Sequence, residues 1–100
     1  MKSNLDIHSM RILIIDDSKN NSTILNAILH KEGFENIFTA TGLGTALELL
    51  GEKRIDLILL SCVLPDISGP KACLQISGNL LYEDIPVIMV TANNDIETLQ

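Results

Sequence analysis

Short apolar runs alternate along the chain with stretches of helical periodicity. Four runs rich in apolar residues lie at residues 11–15, 37–40, 57–60 and 87–90. The first and third are almost continuously apolar, which is typical of strands that are covered on both faces, as in a parallel sheet. Each of the four runs therefore predicts a β-strand.

The stretch after the first run predicts a helix over about residues 19–31. Gly33 stands where a glycine commonly ends a helix. The apolar positions of this helix are three and four residues apart, and they are Ile24, Leu25, Ile28 and Leu29. Such a stripe is typical of a helix that packs one face on a core.

Two further helices are predicted between the later runs. The second carries a stripe at positions i, i+3, i+4 and i+7, formed by Leu43, Ala46, Leu47 and Leu50, and Gly51 is expected to end it. The third begins at Pro70, because proline is well tolerated in the first helical turn. Its apolar face is less regular and is interrupted by Gly78; it comprises Cys73, Ile76, Leu80 and Leu81.

The order of elements is β-α-β-α-β-α-β, and residues 95–100 resemble the first turn of another helix. This alternation predicts an α/β fold, an open parallel sheet with helices on both faces. We expect one domain over residues 11–100, preceded by a flexible N-terminal extension at residues 1–10. Ligands of such folds bind at the carboxyl ends of the strands.

The composition disfavours several classes of function and location. The 100 residues are 46% hydrophobic and carry a formal net charge of −6. This charge disfavours direct nucleic-acid binding and attachment to anionic membranes. No apolar run has the length of a membrane span, no signal-peptide core is present, and two cysteines do not make a disulfide framework. We therefore expect a cytoplasmic location.

Polar residues follow three of the predicted strands. Asp16 and Asp17 end the first, Ser61 the third and Thr91 the fourth, so a parallel sheet places them at one edge. The acidic pair is compatible with a Mg²⁺ site, because Mg²⁺ prefers hard oxygen ligands. It is equally compatible with a helix start, where acids suit the helix dipole. Thr91 is either a phosphoryl contact or an ordinary strand-end threonine.

Ser61 is a poor candidate for a hydrolytic nucleophile. A serine nucleophile needs a base within hydrogen-bond reach. Of the two histidines, His8 lies in the N-terminal extension and His30 on the first helix. The sequence therefore predicts no enzyme of the serine hydrolase type, and we expect no enzymatic activity.

Three motifs in order resemble the receiver domain of two-component response regulators. They are Ile-Leu-Ile-Ile-Asp-Asp-Ser at 12–18, Asp-Leu-Ile-Leu-Leu-Ser-Cys-Val-Leu-Pro-Asp-Ile-Ser-Gly at 56–69, and Ile-Pro-Val-Ile-Met-Val-Thr-Ala at 85–92. The resemblance covers residues 11–100. It implies a flavodoxin-like, CheY-like sheet of order 2-1-3-4-5. It also implies a signalling module that receives a phosphoryl group from a histidine kinase on an aspartate ending strand 3.

The resemblance also assigns roles to residues. Asp16 and Asp17 match the acidic pair that holds Mg²⁺, and the backbone carbonyl of Val63 is the implied third ligand. Pro65 and Gly69 match the residues that shape the loop after strand 3.

Thr91 matches the switch residue that contacts the phosphoryl group, and Ala92 follows it in the same motif. Two departures stand out. Ser61 occupies the position of the acceptor aspartate, and no basic residue follows Lys71, although the family has a lysine at the end of strand 5. Strand 5 and the last helix of the family are missing from these 100 residues. We therefore expect weak or absent Mg²⁺ binding and no phosphotransfer to the usual aspartate.

The sequence leaves two functions open. One is a receiver or pseudo-receiver module that signals by conformational switching and protein interaction. Its implied partners are a sensor histidine kinase or phosphotransfer protein and a downstream output domain or protein. The alternative is a protein-interaction or dimerisation fragment of a larger regulator, which self-associates through the edge of strand 4 at residues 87–90.

Overall fold

The computed structural model describes residues 7–90. The predictions made for Thr91, Ala92 and the helix start at residues 95–100 lie outside the described residues. A 3₁₀ helix, Ile7–Ser9, stands within the predicted extension. The strands and helices that follow are β1 (Arg11–Ile15), α1 (Lys19–Lys31), β2 (Asn36–Ala40), α2 (Leu43–Glu52), β3 (Leu57–Ser61), α3 (Gly69–Ser77) and β4 (Val87–Val90).

The strands form one parallel sheet in the order β2-β1-β3-β4. Strand β1 is central, with Leu13 opposite Phe38 of β2 and Ile58 of β3. The chain passes from β1 through α1 to β2, and from β2 through α2 back across β1 to β3. These two right-handed crossovers run in opposite directions across the sheet, so α1 lies on one face and α2 on the other. The predicted α/β fold and strand order are confirmed.

The hydrophobic core lies on the face that carries α2 and α3. Alternate residues of a strand point to opposite faces, so Leu13 and Ile15 share this face with Ile58 and Leu60. All four of these side chains are fully buried. They form a single cluster with apolar residues of α2, of α3 and of the adjoining loops, which are Leu43, Ala46, Leu50, Leu64, Ala72 and Ile76, among others.

The opposite face, which carries α1, is covered less completely. Ile12 and Ile14 of the central strand are buried there. Leu57 and Leu59 of β3 are only half-buried, and Ile88 of β4 is 51% exposed. Burial on this face is therefore concentrated on β1 and decreases toward β4.

Helix α1 has the predicted bounds but not the predicted packing. No residue of α1 is fully buried. Leu25 and Leu29 are half-buried, whereas Ile24 and Ile28 are 57% and 52% exposed. The prediction of one buried apolar face is wrong for the two isoleucines, because the half-buried stripe of the helix passes through positions 22, 25, 26 and 29 instead.

The ends of the helices confirm one predicted detail and correct two. Gly33 has φ of 101° and follows the C-cap of α1, as its sequence position suggests. Helix α2 continues through Gly51 to Glu52, so the prediction that Gly51 ends it is wrong. Helix α3 begins one residue before Pro70, at Gly69, with the Ser68 side chain as its N-cap.

The predicted apolar face of α3 is wrong in its second half. The helix ends at Ser77, and Gly78 is its C-cap. Leu80 and Leu81 therefore lie beyond the helix and are 82% and 80% exposed. Only Ile76 of the predicted face is buried, and Cys73 is half-buried. Within residues 7–90, no helix combines the length and the apolar character that crossing a membrane requires.

Candidate functional site

Two neighbouring strands end in polar residues at the carboxyl edge of the sheet. Asp16 directly follows β1, and Ser61 is the last residue of β3. The register pairs Ile15 with Leu60, so the next residue of each strand comes to the same edge. The sequence predicts this juxtaposition, and the structure confirms the topology that creates it.

Asp16 is a buried acid that is held by the start of α1. Its side chain is among the least exposed of the polar residues described, at 5% exposure. Its Oδ1 accepts a hydrogen bond from the Ser18 backbone N–H at 2.9 Å, and its Oδ2 accepts one from the Asn21 side chain at 3.4 Å. The Asp16 carboxylate therefore stabilises the first turn of α1, which is the helix-start role that the sequence left open. Asp17, next to it, is exposed.

The Ser61 side chain turns back onto its own backbone. Its hydroxyl donates a hydrogen bond to the Val63 carbonyl oxygen at 2.9 Å. The same oxygen, Oγ, accepts a hydrogen bond from the Val63 backbone N–H at 3.2 Å. Both the donor and one acceptor position of the hydroxyl are thus used within two residues of the chain.

The loop between β3 and α3 is closed tightly over this turn. Val63 and Ser68 form an antiparallel bridge, and the Gly69 N–H donates to the Cys62 carbonyl at 2.9 Å. A Cβ atom at Gly69 would lie 2.7 Å from the Cys62 Cα, so this position accepts only glycine without a shift of the backbone. Pro65 lies exposed in the same loop.

Asp66 was not singled out from the sequence, yet it joins this loop to α2. Its carboxylate accepts a hydrogen bond from the Leu43 N–H at the start of α2, at 3.2 Å. The N-cap of α2 is Gly42, which has no side chain to satisfy the first N–H groups. In the sequence, the signal for such a contact is the glycine at the start of α2: because Gly42 cannot cap the helix with a side chain, a capping side chain has to come from elsewhere in the chain.

The oxygen ligands that the structure describes at this edge fit a Mg²⁺ site only if water molecules complete the coordination. Among the described residues, no group of three or more His, Cys, Asp or Glu side chains is arranged to hold a metal ion. The Val63 carbonyl already accepts the Ser61 hydroxyl. Asp16 and Asp17 are the carboxylates that the sequence assigned, and Mg²⁺ is usually bound by one or two carboxylates together with several water molecules.

Neither histidine lies near Ser61, so neither acts as its base. His30 is in the last turn of α1, which ends at the opposite, amino end of the sheet. His8 contacts Phe34, just after that helix, in a tilted arrangement with ring centroids 5.2 Å apart. Cys62 and Cys73 are free thiols, and both are half-buried.

Comparison with known proteins agrees with this architecture. Residues 12–100 match the response regulator receiver domain family. The chain is 34% identical over 83 residues to the transcriptional regulatory protein YvrH of Bacillus subtilis, covering 83% of the chain and 34% of that protein. It is 37% identical over 95 residues to a probable cyclic di-GMP phosphodiesterase of Vibrio cholerae, covering 95% of the chain and 21% of that protein.

A solved structure shares the fold. The receiver domain of a sensor histidine kinase from Pseudomonas aeruginosa, with a magnesium ion coordinated in its active-site cleft, has 28% sequence identity and a TM-score of 0.75. The match covers 85% of this chain and 69% of that one. The chain spans about a third or less of the length of the two curated relatives. Its strand order and its match over residues 12–100 show that it belongs to the response regulator receiver domain family of two-component systems.

Proposed function

We propose that this chain is a receiver-type signalling module in which Ser61 stands at the position of the phosphoacceptor aspartate. In this proposal the module does not accept a phosphoryl group there. It signals through protein contacts and conformational change, in the cytoplasm, without catalysing a reaction of its own. Thr91 and Ala92 keep the switch role that the sequence motif suggests.

The observation that carries the proposal is the closed hydrogen-bond pair between Ser61 and Val63. A serine hydroxyl becomes an effective nucleophile only when a base removes its proton or a low pKa activates it. The Ser61 proton is instead donated to the Val63 carbonyl at 2.9 Å. Attack on a phosphodonor would require this hydrogen bond to break, and neither His8 nor His30 lies near Ser61 to accept its proton.

The same hydrogen bond bears on Mg²⁺. In the proposed arrangement Asp16, Asp17 and the Val63 carbonyl would hold the ion, which would neutralise charge on a phosphodonor. The Val63 carbonyl already accepts one hydrogen bond, which competes with the ion for this oxygen, and Ser61 contributes no carboxylate. We therefore propose that Mg²⁺ binding is weaker than in a receiver with three acidic ligands.

The partners of the module follow from the family. We propose that a sensor histidine kinase or a phosphotransfer protein docks on the chain and that an output domain or protein receives the signal. The charge of −6 leaves nucleic-acid binding to such an output component. The relatives are much longer than the aligned region, which is consistent with a module that works beside other domains.

The test is incubation of the chain with acetyl phosphate and Mg²⁺, followed by intact mass measurement. We expect the wild-type chain to gain no phosphoryl group, whereas Ser61→Asp gains one that is lost at alkaline pH, as acyl phosphates are. Ser77→Asp, on the exposed end of α3, is the matched control and should stay unmodified. A Mg²⁺-dependent phosphoryl group on Ser61 of the wild-type chain would overturn the proposal.

A second candidate function is self-association through β4. Within residues 7–90, β4 pairs only with β3, and Ile88 is 51% exposed on it. An unpaired strand edge is a template for pairing with another chain. Sedimentation velocity over a range of concentrations tests this: we expect a dimer that Ile88→Lys weakens. A concentration-independent monomer would exclude it.

A further inference from the structure

The loop between α3 and β4 carries two leucines that the core does not use. Leu80 and Leu81 are 82% and 80% exposed, and Leu74, in the second half of α3, is 73% exposed. The same loop places Tyr82 and Ile85 inward, where they pack against the core cluster. Other apolar side chains therefore hold the loop on the core, and burial does not explain the leucine pair.

Leu80 and Leu81 are the two central residues of a tight turn. The Tyr82 N–H donates a hydrogen bond to the Asn79 carbonyl at 2.9 Å, and the Leu81 N–H donates one to the Asn79 side-chain Oδ1 at 2.8 Å. A second turn follows directly, in which the Ile85 N–H donates to the Tyr82 carbonyl at 3.0 Å. These hydrogen bonds fix the loop backbone, so both leucines are held at the surface in the absence of a partner.

Leucine is an unusual residue for the centre of a turn. Turns favour Gly, Pro, Asn, Asp and Ser, whose backbones or side chains suit the bend. Sequence choices that break a local rule without a gain in packing are expected mainly at functional sites. Exposed apolar patches likewise mark surfaces that bind other molecules. The leucine pair of this turn is therefore suited to contact with a partner.

The surroundings of the leucine pair are acidic. Glu83 and Asp84 follow it closely in the loop, and both are exposed. No lysine or arginine follows Lys71 in the 100 residues, so the loop itself supplies no positive charge. A partner that covers the leucines brings its own charges close to the two acids, where cations are attracted and anions are repelled.

Basic side chains at the same, amino end of the sheet do not neutralise these acids. Lys53 places its ammonium group 5.1 Å from the centroid of the Phe38 ring. Arg54 pairs with Asp56 at 2.9 Å. Within residues 7–90, neither acid of the α3–β4 loop forms an ion pair. The two carboxylates are therefore available to a cationic partner.

We propose that this turn is a docking surface for a basic amphipathic segment of another protein. Leu80 and Leu81 supply apolar contact, and Glu83 and Asp84 attract the lysine or arginine side chains beside it. An anionic membrane or a nucleic acid fits less well, because both repel a chain of net charge −6. The surface is separate from the function proposed above and does not depend on whether Ser61 accepts a phosphoryl group.

The test is a titration of the ¹⁵N-labelled chain with a capped peptide of about 14 residues, made of leucine and lysine with every leucine on one helical face. A second peptide has glutamate in place of each lysine. We expect saturable amide shifts at Asn79, Leu80, Leu81, Glu83 and Asp84 with the lysine peptide, with a dissociation constant on the order of 100 μM. The absence of these shifts, or equal binding of the two peptides, would overturn the proposal.

Two matched double variants test the leucines. Leu80→Ser combined with Leu81→Ser should weaken binding of the lysine peptide by more than roughly tenfold, because two apolar contacts are lost. Ile24→Ser combined with Ile28→Ser removes another exposed apolar pair, on α1, and should leave the affinity unchanged. Equal affinities in the two double variants would mean that the peptide does not recognise the turn, and the proposal would be wrong.

Glu83→Lys combined with Asp84→Lys tests the charge of the partner separately. It should weaken binding of the lysine peptide by roughly tenfold and strengthen that of the glutamate peptide. An unchanged affinity for the lysine peptide would contradict the proposed chemistry. Since Leu80 and Leu81 are exposed, their serine variant should keep the wild-type midpoint of urea unfolding, which shows that lost binding is not lost folding.

Two further measurements distinguish other occupants of the turn. Amide shifts at the turn that depend on protein concentration alone would assign the surface to a second copy of this chain. Cosedimentation with vesicles of phosphatidylcholine and phosphatidylglycerol that is lost in the serine variant would assign it to a membrane. We expect neither result, and either one would overturn the proposal of a basic protein segment.

Discussion

On the face of the sheet that carries α2 and α3, the inward side chains of β1 and β3 are fully buried, whereas on the face that carries α1 the fully buried strand side chains that the structure describes belong to β1 alone. Ile58 and Leu60 illustrate the first face. On the second face, Leu59, from the same strand, is half-buried, and Ile88 of β4 is more exposed still. One set of strands thus supports a closed core and an open surface.

The difference in burial between the two faces indicates which of the described elements contribute most to the free energy of unfolding. Buried apolar area contributes about 25 cal/mol per Å², so side chains that remain half-exposed contribute much less than their size suggests. Helices α2 and α3 are fixed by this burial. Helix α1 depends more on its capping residues, Ser18 and Asp16, and on a mixed polar and apolar stripe.

The largest effect should come from a deletion on the closed face. Ile58→Ala is expected to lower the free energy of unfolding by about 3 kcal/mol, because it leaves a cavity in the core. Ile88→Ala on the open face should cost less than about 1 kcal/mol, since half of that side chain is already in water. Urea unfolding followed by circular dichroism measures both. Equal losses would show that the open face is covered in solution.

A slightly smaller effect is expected at the loop that closes over Ser61. Gly69→Ala should lower stability by about 2 kcal/mol, because the added Cβ would overlap the Cys62 backbone. Gly44→Ala is the matched control: a Cβ there meets nothing within 4 Å, and alanine favours the helix. Gly44→Ala should therefore raise the thermal midpoint while Gly69→Ala lowers it. If the two variants changed it in the same direction, the close packing of the loop would be contradicted.

Removing the cap that Asp66 supplies to α2 should lower the free energy of unfolding by less than Gly69→Ala does. Asp66→Ala is expected to cost about 1 kcal/mol, the usual effect of removing a helix N-cap. Asp17→Ala, at an exposed acid, should change stability by less than about 0.5 kcal/mol. Hydrogen exchange gives the sharper readout: the Leu43 amide should exchange faster in Asp66→Ala only. Unchanged protection of that amide would mean that the hydrogen bond does not hold in solution.

The smallest effect is predicted on α1. Ile24→Ala should change the free energy of unfolding by less than about 0.5 kcal/mol, because the loss of partly exposed apolar surface is offset by the higher helix propensity of alanine. Leu50→Ala in α2, where the side chain is buried, should cost about 3 kcal/mol. Thermal unfolding of the two variants compares them. A large loss in Ile24→Ala would show that α1 is packed as tightly as α2.

The strands and their order could be predicted from the sequence because continuous apolar runs leave little choice of element. The faces of the helices were harder to predict. Periodicity identifies Ile24 and Ile28 as apolar but does not reveal which side of the stripe the sheet covers. Leu80 and Leu81 fit a helical spacing, yet Gly78 ends the helix before it reaches them.

The candidate site shows the same limit. The positions of Asp16 and Ser61 at one edge follow from strand ends in a parallel sheet. The hydrogen bonds of Ser61 do not follow from the strand ends. Its hydroxyl bonds to the Val63 N–H and carbonyl because of the conformation of the loop backbone, which the sequence does not reveal. The Asp66 cap joins residues 23 positions apart in the sequence, so no local pattern contains it.

The Asp66 hydrogen bond makes the loop and α2 thermodynamically dependent on each other. Any displacement of the loop that carries Asp66 away from the Leu43 N–H removes a cap from α2. Coupling between two parts of a protein is reciprocal, so a partner that holds the first turn of α2 in place also restrains the loop after β3 by the same free energy. A protein bound at α2 could therefore be sensed at Ser61 without touching it.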